Sequence, residues 1–550
     1  MQWRPRVPGL VAWVVRIAAV LAVLDILNPV ERHHYRSRAL DGVMDGTTFA
    51  AAMFSAGVLL VLAGALRRRK KRAWVLAVVA VVIGVLTHLH FQRLSVAVLN
   101  LAVLGLLLWA RRDFTARSER SGRLAAVRVL LVMGGVSIVA GMFLTARLAP
   151  TSSFSDRFYE VLAGLVGFTP ELAFRREYTS TLVEIALNTL GALTALLTLV
   201  TFLAPARKPA RLTAAAEEQL RGLLAKFGKR DSLGYFALRG DKVAMFSSSG
   251  KAAVVYRVVG STTLASGDPL GDPEAWPGAI QAWLDEADTY AWTPGVVGAS
   301  EEGAIAYQRA GLDSLELGDE AVLELDEFSL EGRSMRVVRQ AVNRVRRAGY
   351  TLDVRRQSQL SAEEMAEITK AADELRGEDV ERGFSMALGR LGDPRDPDLM
   401  VARARDADGK LIAVLGFVPW GEDGLSLDLM RRSHDSENGT VEFVVVGVIE
   451  LVRDLGIRRI SLNFAVFRSV FERGSRVGAG PVLRLWYRVL LLASRWWQIE
   501  SLYRANAKYQ PEWIPRFVCF RRAGELPRVA VAAAEAEAFI QRPRLRWLAR

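Results

Sequence analysis

Apolar residues crowd the first 205 positions into long runs and then thin out into periodic patterns. Six runs stand out: Pro8–Val30, Thr47–Leu66, Ala73–His88, Leu94–Ala110, Leu124–Leu144 and Thr179–Leu203. Each approaches the roughly 20 apolar residues that a helix needs to cross a bilayer core, so the pattern predicts about six spans. The third and fourth are short and suit a tight hairpin. The first is too long, and is followed by too many others, to be a cleaved leader. After the hinge Ala204–Pro209 the period changes. A helix is expected over Ala214–Phe227, then strand-like runs at Tyr235–Leu238, Val243–Phe246, Ala252–Val259 and Ser261–Ala265. Helix Trp276–Ala287, strand Thr293–Val297 and helix Glu301–Ala310 complete a mixed α/β module.

A second module follows. Leu330–Tyr350 reads as a helix that interleaves Arg333, Arg336, Arg339, Arg344, Arg346 and Arg347 with apolar residues, and Gly349 is a natural C-cap. Such charge density suits phosphates, of RNA or of lipid headgroups, or simply a solvated face. The helix Ala362–Leu375 and strands Leu399–Arg405 and Leu411–Pro419 lead to Leu425–Arg432, where leucines at 425, 427 and 429 alternate with Ser426, Asp428 and Met430. Asp428 faces away from those leucines, and Arg431 and Arg432 follow as the strand ends. A carboxylate and a guanidinium there can orient a hydroxyl and hold developing negative charge, or form a structural ion pair. The helix Glu442–Leu455 carries Glu442 near its start, and strand Arg459–Phe464 carries Asn463 near its end. Pro481–Tyr503, aromatic and basic, fits an amphipathic helix on a bilayer surface or a packed one. Pro511 and Pro515 flank Trp513 in an extended segment from which Lys508 and Arg516 are expected to project.

Charge adds topology. The basic clusters Arg67–Arg72, Arg111–Arg123 and Arg207–Arg211 fall on one side if the N-terminus is cytoplasmic, which places the α/β part in the cytosol of a multi-pass cell-membrane protein. The polar segment Thr151–Tyr178 then lies outside. Arg16, Asp25 and Glu184 are charges within spans, where burial is expensive. The net charge of +13 favours anionic partners. A single cysteine, Cys519, excludes an intramolecular disulfide and a cysteine metal cluster, and five scattered histidines make no metal site. Ser249-Gly250-Lys251 lacks the upstream glycine of a phosphate loop.

Strand, helix and strand with a charged strand end resemble the acetyltransferase-like (GNAT) fold. The nearest match to its pyrophosphate loop, Ser475–Gly480, has serine for the initial Arg/Gln and follows the wrong element, which speaks against coenzyme A; no cofactor is expected. Gly383–Gly392, Phe417–Trp420, Ser426–Arg432, Ser461–Ala465 and Lys508–Arg516 together resemble the bacterial phosphatidylglycerol lysyltransferases (lysylphosphatidylglycerol synthases, the multiple-peptide-resistance family), in particular the synthase portion of the actinobacterial form. The resemblance implies a multi-span membrane domain (1–206), two tandem GNAT-like domains (207–328 and 329–541, the second catalytic) and a basic tail (542–550). It implies transfer of an amino acid, lysine first, from aminoacyl-tRNA to phosphatidylglycerol, which gives resistance to cationic antimicrobial peptides.

By this likeness Asp428 orients or deprotonates the lipid hydroxyl and Arg431 holds phosphate or oxyanion. Glu442 and Asn463 hold amine or ester, Arg432 binds substrate, Lys508 and Arg516 take the tRNA 3′ end or a phosphate, and Trp513 stacks on a base. Arg336, Arg339, Arg344 and Arg347 offer a phosphate face. Six spans leave no room for the lipid-flipping domain of larger members. With no fused lysyl-tRNA synthetase expected, a separate synthetase supplies the donor, and alanine or arginine stay open. Two other readings remain: a coenzyme A-dependent membrane acyltransferase, and a lipid-binding or lipid-translocating protein without catalysis.

Overall fold

A computed structural model of the chain describes residues 9, 11–17, 57–67, 69–90, 94–114, 121–167, 177–203, 211–377, 383–466 and 504–540. Two compact units emerge, one built mainly from residues 1–207 and the other from 208–287 with 293–542.

The first unit is helical: α1 (Gly57–Arg67), α2 (Lys71–His90), α3 (Leu94–Trp109), α4 (Ser121–Leu148), α5 (Phe154–Val166) and α6 (Glu177–Phe202). Among the described residues, Arg123–Leu148 and Leu182–Phe202 are each long and apolar enough to cross a membrane. Most of the first apolar run, with Asp25, and the start of the second lie outside the described residues. The polar stretch after α4 holds a helix that the apolar pattern missed. Ser153 caps α5 by accepting from the Asp156 N–H, and Gly167 ends it in the left-handed region. Small residues let α5 and α6 touch: a Cβ on Gly191 would lie 1.9 Å from the Leu165 carbonyl oxygen. Glu184 of α6 is buried.

The second unit is one 12-stranded sheet with helices packed against it. Its first half comprises α7 (Ala214–Phe227), β1 (Val243–Phe246), β2 (Ala252–Val259), β3 (Thr262–Ser266), the short β4 (Leu270–Gly271), α8 (Trp276–Tyr290), β5 (Thr293–Ala299), α9 (Glu301–Arg309) and β6 (Asp313–Glu324). The second comprises α10 (Arg336–Arg347), β7 (Thr351–Arg356), α11 (Ala362–Arg376), β8 (Met400–Arg405), β9 (Leu411–Trp420), β10 (Gly424–Arg432), α12 (Thr440–Arg453), β11 (Arg459–Val466), β12 (Glu512–Phe520) and α13 (Leu526–Ala536). The strand order is β1-β2-β3-β5-β12-β6-β11-β10-β9-β8-β7. Each half runs antiparallel into a strand–helix–strand unit whose strands pair in parallel, β3 with β5 and β10 with β11. This is the expected tandem acetyltransferase-like plan, with one addition. The last strand of each half crosses into the other, so β12 lies beside β5, β6 beside β11, and the two pair with each other.

Local chemistry explains most elements. Ser300 and Ser361 cap α9 and α11, and Glu364 completes a capping box on the latter. Helix α10 buries Val338, Val342 and Val345 on one stripe. It is shorter than the expected Leu330–Tyr350, and Gly349 (φ 81°) lies just beyond it. The run Tyr235–Leu238 is not a strand. Phe236, Ala237 and Leu238 are all buried, the alternation of a half-buried strand is absent, and Gly234–Leu238 forms a 3₁₀ turn.

Candidate active site

The strands β10 and β11 form a fork. Their parallel pairing covers Gly424–Arg459, Leu425–Ile460 and Ser426–Ser461 and ends there. Just past that point β10 shifts register against β9 between Leu427 and Leu429, so Asp428 is the extra residue of a bulge. β11 shifts against β6 between Ser461 and Phe464, the stretch that contains Asn463. The bulge re-aims Asp428 where the two strands part, at the carboxyl end of a parallel pair, where α/β sheets place their ligands.

The Asp428 carboxylate is held from outside the sheet: Oδ1 accepts the Leu388 N–H at 2.6 Å. Leu388 belongs to the loop Gly383–Gly392, whose glycines 383, 389 and 392 all have positive φ. The last residues of this loop, Leu391 and Gly392, line an open groove of about 1010 Å³ together with α11, Pro394 and Pro397. Arg431 is half-buried further along β10 and Arg432 is exposed at its end.

Helix α12 returns the chain to this end of the fork. Its N-cap, Gly439 (φ 106°), supplies no side-chain bond. A Cβ there would lie 2.9 Å from that of Ala341 on α10, so glycine is required both by conformation and by space. Glu442 in the first turn pairs with Lys508 at 2.5 Å, both half-buried. The buried Tyr509 ring follows, and burial followed by the Glu442 charge pushes its hydroxyl up. The α10–Gly439 contact sets α10 beside this turn. Arg336, Arg344 and Arg347 are exposed on it, Arg346 pairs with Glu450 at 2.6 Å, and Arg339 folds back on the Leu330 and Gly332 carbonyls.

Thus Asp428 and Arg431 follow the last residue of β10 that pairs with β11, and Glu442 and Lys508 pair at the start of the helix into which β10 leads. Asn463 lies on the opposite arm, and Trp513 packs half-buried against the second-half core. The side chain of Asn463, the aromatic stretch Pro481–Tyr503 and the loop Ser475–Gly480 lie outside the described residues. Among the described residues no group of three or more His, Cys, Asp or Glu is placed to hold a metal.

Arg516 does not project. It is 3% exposed, and all five of its N–H donors are used. They reach Glu320 from Nε and Nη2, Asp231 and the Gly298 carbonyl from Nη1, and Ser232 from Nη2. Glu320 also accepts from Ser461, the last paired residue of the fork. Arg516 therefore braces the vertex from behind.

Sequence reasoning missed this node; the turn Gly267-Asp268-Pro269 beside it reads from sequence as a functional turn or a plain β-turn. In the first half the corresponding fork is closed: pairing continues to Ser266–Val297, the Gly267 N–H bonds the Val297 carbonyl, and Asp268 accepts the N–H and hydroxyl of Ser300. Burial, then the neighbouring Asp231, push the Asp268 carboxyl up to about 7. An unfolded aspartate ionises near 3.9. Between these values the folded chain holds a proton that the unfolded chain releases, so this group costs stability as pH rises from about 4 to 7. Asp268→Asn is expected to remove that cost. The melting midpoint of the variant minus that of the native chain should become more positive by a few degrees between pH 5 and pH 8, as read by differential scanning fluorimetry in detergent.

The family described as phosphatidylglycerol lysyltransferase, C-terminal, matches residues 221–520, more than half of the chain. The chain belongs to this family. Residues 3–203 match the transmembrane region of lysyl-tRNA synthetase, which makes the N-terminal part a membrane region. Among similar proteins, the lysylphosphatidylglycerol biosynthesis bifunctional protein LysX of Rhodococcus jostii is 44% identical over 98% of this chain and 49% of its own length. That of Mycolicibacterium gilvum is 45% identical over 98% and 50%. The chain thus spans about half the length of the curated relatives it matches.

The lysyltransferase-family fold is also seen in solved structures. The C-terminal domain of a protein assigned as a lysylphosphatidylglycerol synthetase from Agrobacterium fabrum superposes with a TM-score of 0.50 at 25% identity, covering 58% of this chain and 96% of that one. L-PGS from Bacillus licheniformis gives 0.50 at 24%, covering 60% and 99%, a likeness of fold.

Proposed function

We propose that the chain moves an amino acid, lysine first, from aminoacyl-tRNA to a glycerol hydroxyl of phosphatidylglycerol. One observation carries the reading: a bulged carboxylate, Asp428, stands where β10 and β11 part, in a chain of the lysyltransferase family. The aminoacyl ester is already activated, so the protein has to position the hydroxyl, accept its proton and steady the tetrahedral oxyanion. Asp428 orients the lipid hydroxyl, takes its proton as the new ester bond forms, and returns that proton to the tRNA ribose oxygen as the old ester bond breaks. Arg431 steadies the oxyanion or the lipid phosphate, with Arg432 further out on the same strand. Glu442, in its ion pair with Lys508, receives the donor amine, and Lys508 the phosphate of the tRNA 3′ end. Asn463, on the opposite arm, holds the amine or ester, and Trp513 stacks on a base or packs locally. Arg336, Arg344 and Arg347 give α10 a phosphate-facing side, and Arg339 shapes the turn before it. Arg516 acts as a positioning residue.

The membrane region holds the α/β unit at the lipid surface, multi-pass and with both the N-terminus and the α/β unit cytoplasmic. A separate synthetase charges the tRNA. The product lipid carries added positive charge and lowers attraction for cationic peptides.

The test supplies membranes containing the full chain with tRNA charged with radiolabelled lysine, alanine or arginine. RNase-sensitive label in a phosphatidylglycerol derivative is expected, strongest with lysine. Absence of lipid label with every charged tRNA, from folded protein, would overturn the reading, and label transferred from an acyl-coenzyme A would replace it.

A further inference from the structure

The loop that holds Asp428 is itself gripped by the other half of the unit. The Leu388 N–H reaches Asp428 Oδ1. Four residues earlier, the carboxylate of Glu537, at the C-terminal end of α13, accepts the Phe384 N–H at 2.6 Å, the Ser385 N–H at 3.0 Å and the Ser385 hydroxyl. Phe384 and Ser385 are fully buried. Between and beyond these points Arg239 donates to the Ala387 carbonyl at 2.8 Å, and Arg390 donates to the Leu238 carbonyl at 2.9 Å and to Glu217 at 2.8 Å. Arg239, Leu238 and Glu217 all belong to the first half. So does the seat of α13: a Cβ on Gly295 of β5 would lie 2.6 Å from Val529, and the buried Val529, Ala532 and Ala536 join the first-half core.

We propose that Glu537 is a positioning residue for the transfer reaction, fixing the Asp428 carboxylate through the Phe384–Leu388 loop. This rests on the reading of Asp428 given above. A carboxylate that accepts three donors from two consecutive residues fixes both position and tilt of the loop's start. Four residues of chain, pinned again at Ala387, transmit that placement to the Leu388 amide. A loop free to swing would carry the Leu388 amide away from Asp428 Oδ1, and catalysis is sensitive to displacements of about 1 Å.

The test uses the full chain and three measurements: kcat and KM for phosphatidylglycerol, the melting midpoint, and hydrogen exchange of the peptide spanning 384–390. In Glu537→Gln the amide nitrogen faces a backbone donor, so the grip is broken at constant size. It is expected to lower kcat about 10-fold with KM within about twofold, and to speed exchange at 384–390 while β10 keeps its protection. Ser385→Ala, which removes a single bond, is expected to do the same more weakly, and serves if the first variant fails to fold. In an Asp428→Asn background Glu537→Gln should add less than twofold, because the group it positions has gone. Faster loop exchange with kcat unchanged would overturn the proposal, as would the same fold loss in both backgrounds. If the native chain itself labels no lipid, the transfer reading fails, and the exchange experiment alone decides whether Glu537 holds the loop: unchanged exchange at 384–390 in Glu537→Gln would overturn that as well.

Discussion

Asp428→Asn is expected to lower kcat/KM for labelled-lipid formation by about 10²–10⁴-fold, the range typical of a lost general base. Asparagine has nearly the same shape and its oxygen can still accept the Leu388 N–H, so the bulge and the loop should persist. What disappears is the capacity to take the proton of the attacking hydroxyl. The loss should therefore lie in kcat, with KM for the lipid nearly unchanged. Steady-state kinetics on purified, folded variant is the check. Activity within threefold of the native chain would reduce Asp428 to a structural partner of its loop.

The second large effect concerns stability. Arg516→Met should cost about 3–5 kcal/mol, because removing one partner of a buried ion pair leaves charge without compensation. Here Glu320 and Asp231 both lose their guanidinium, and the Gly298 carbonyl and Ser232 hydroxyl lose a donor. A lowered and broadened melting transition is expected. Adding Glu320→Gln to Arg516→Met should restore part of the loss, since the most deeply buried carboxylate is then neutral. Equal midpoints for Arg516→Met and the native chain would mean that the network contributes nothing.

These two residues also mark how far the sequence could be read. The membrane region was legible because long apolar runs carry their own meaning. The strand that presents Asp428 was legible because alternation over 425–430 sets one face apart, and Asp428 does lie at the parting of two strands. The bulge was not, since an extra residue leaves no mark on a short alternating run. The role of Arg516 was not legible. By type it resembled a projecting cation, yet its carboxylate partners are 196 and 285 residues away in the chain. Nothing local announces such pairing. Pro515 deepened the problem, because proline argues against a central strand, and β12 accommodates it beside a register shift at Arg516–Phe517. The motif Gly383–Gly392 was recognised as a string, while the grip on its start comes from Glu537, a residue that no local pattern distinguishes.

The crossing of β6 and β12 carries a consequence for how the chain is made. Every residue of β5 is buried in the finished sheet, but the strand that covers its outer edge, β12, emerges from the ribosome roughly 210 residues later. At about 5–20 residues per second, that edge waits on the order of 10–40 s with its amides and carbonyls unpaired. An apolar, unpaired edge of this kind is a template for joining other chains. Translation that stalls before codon 512 would thus release a first half that is largely folded yet sticky along one side, and a chaperone able to shield an extended strand would have most to do during that interval.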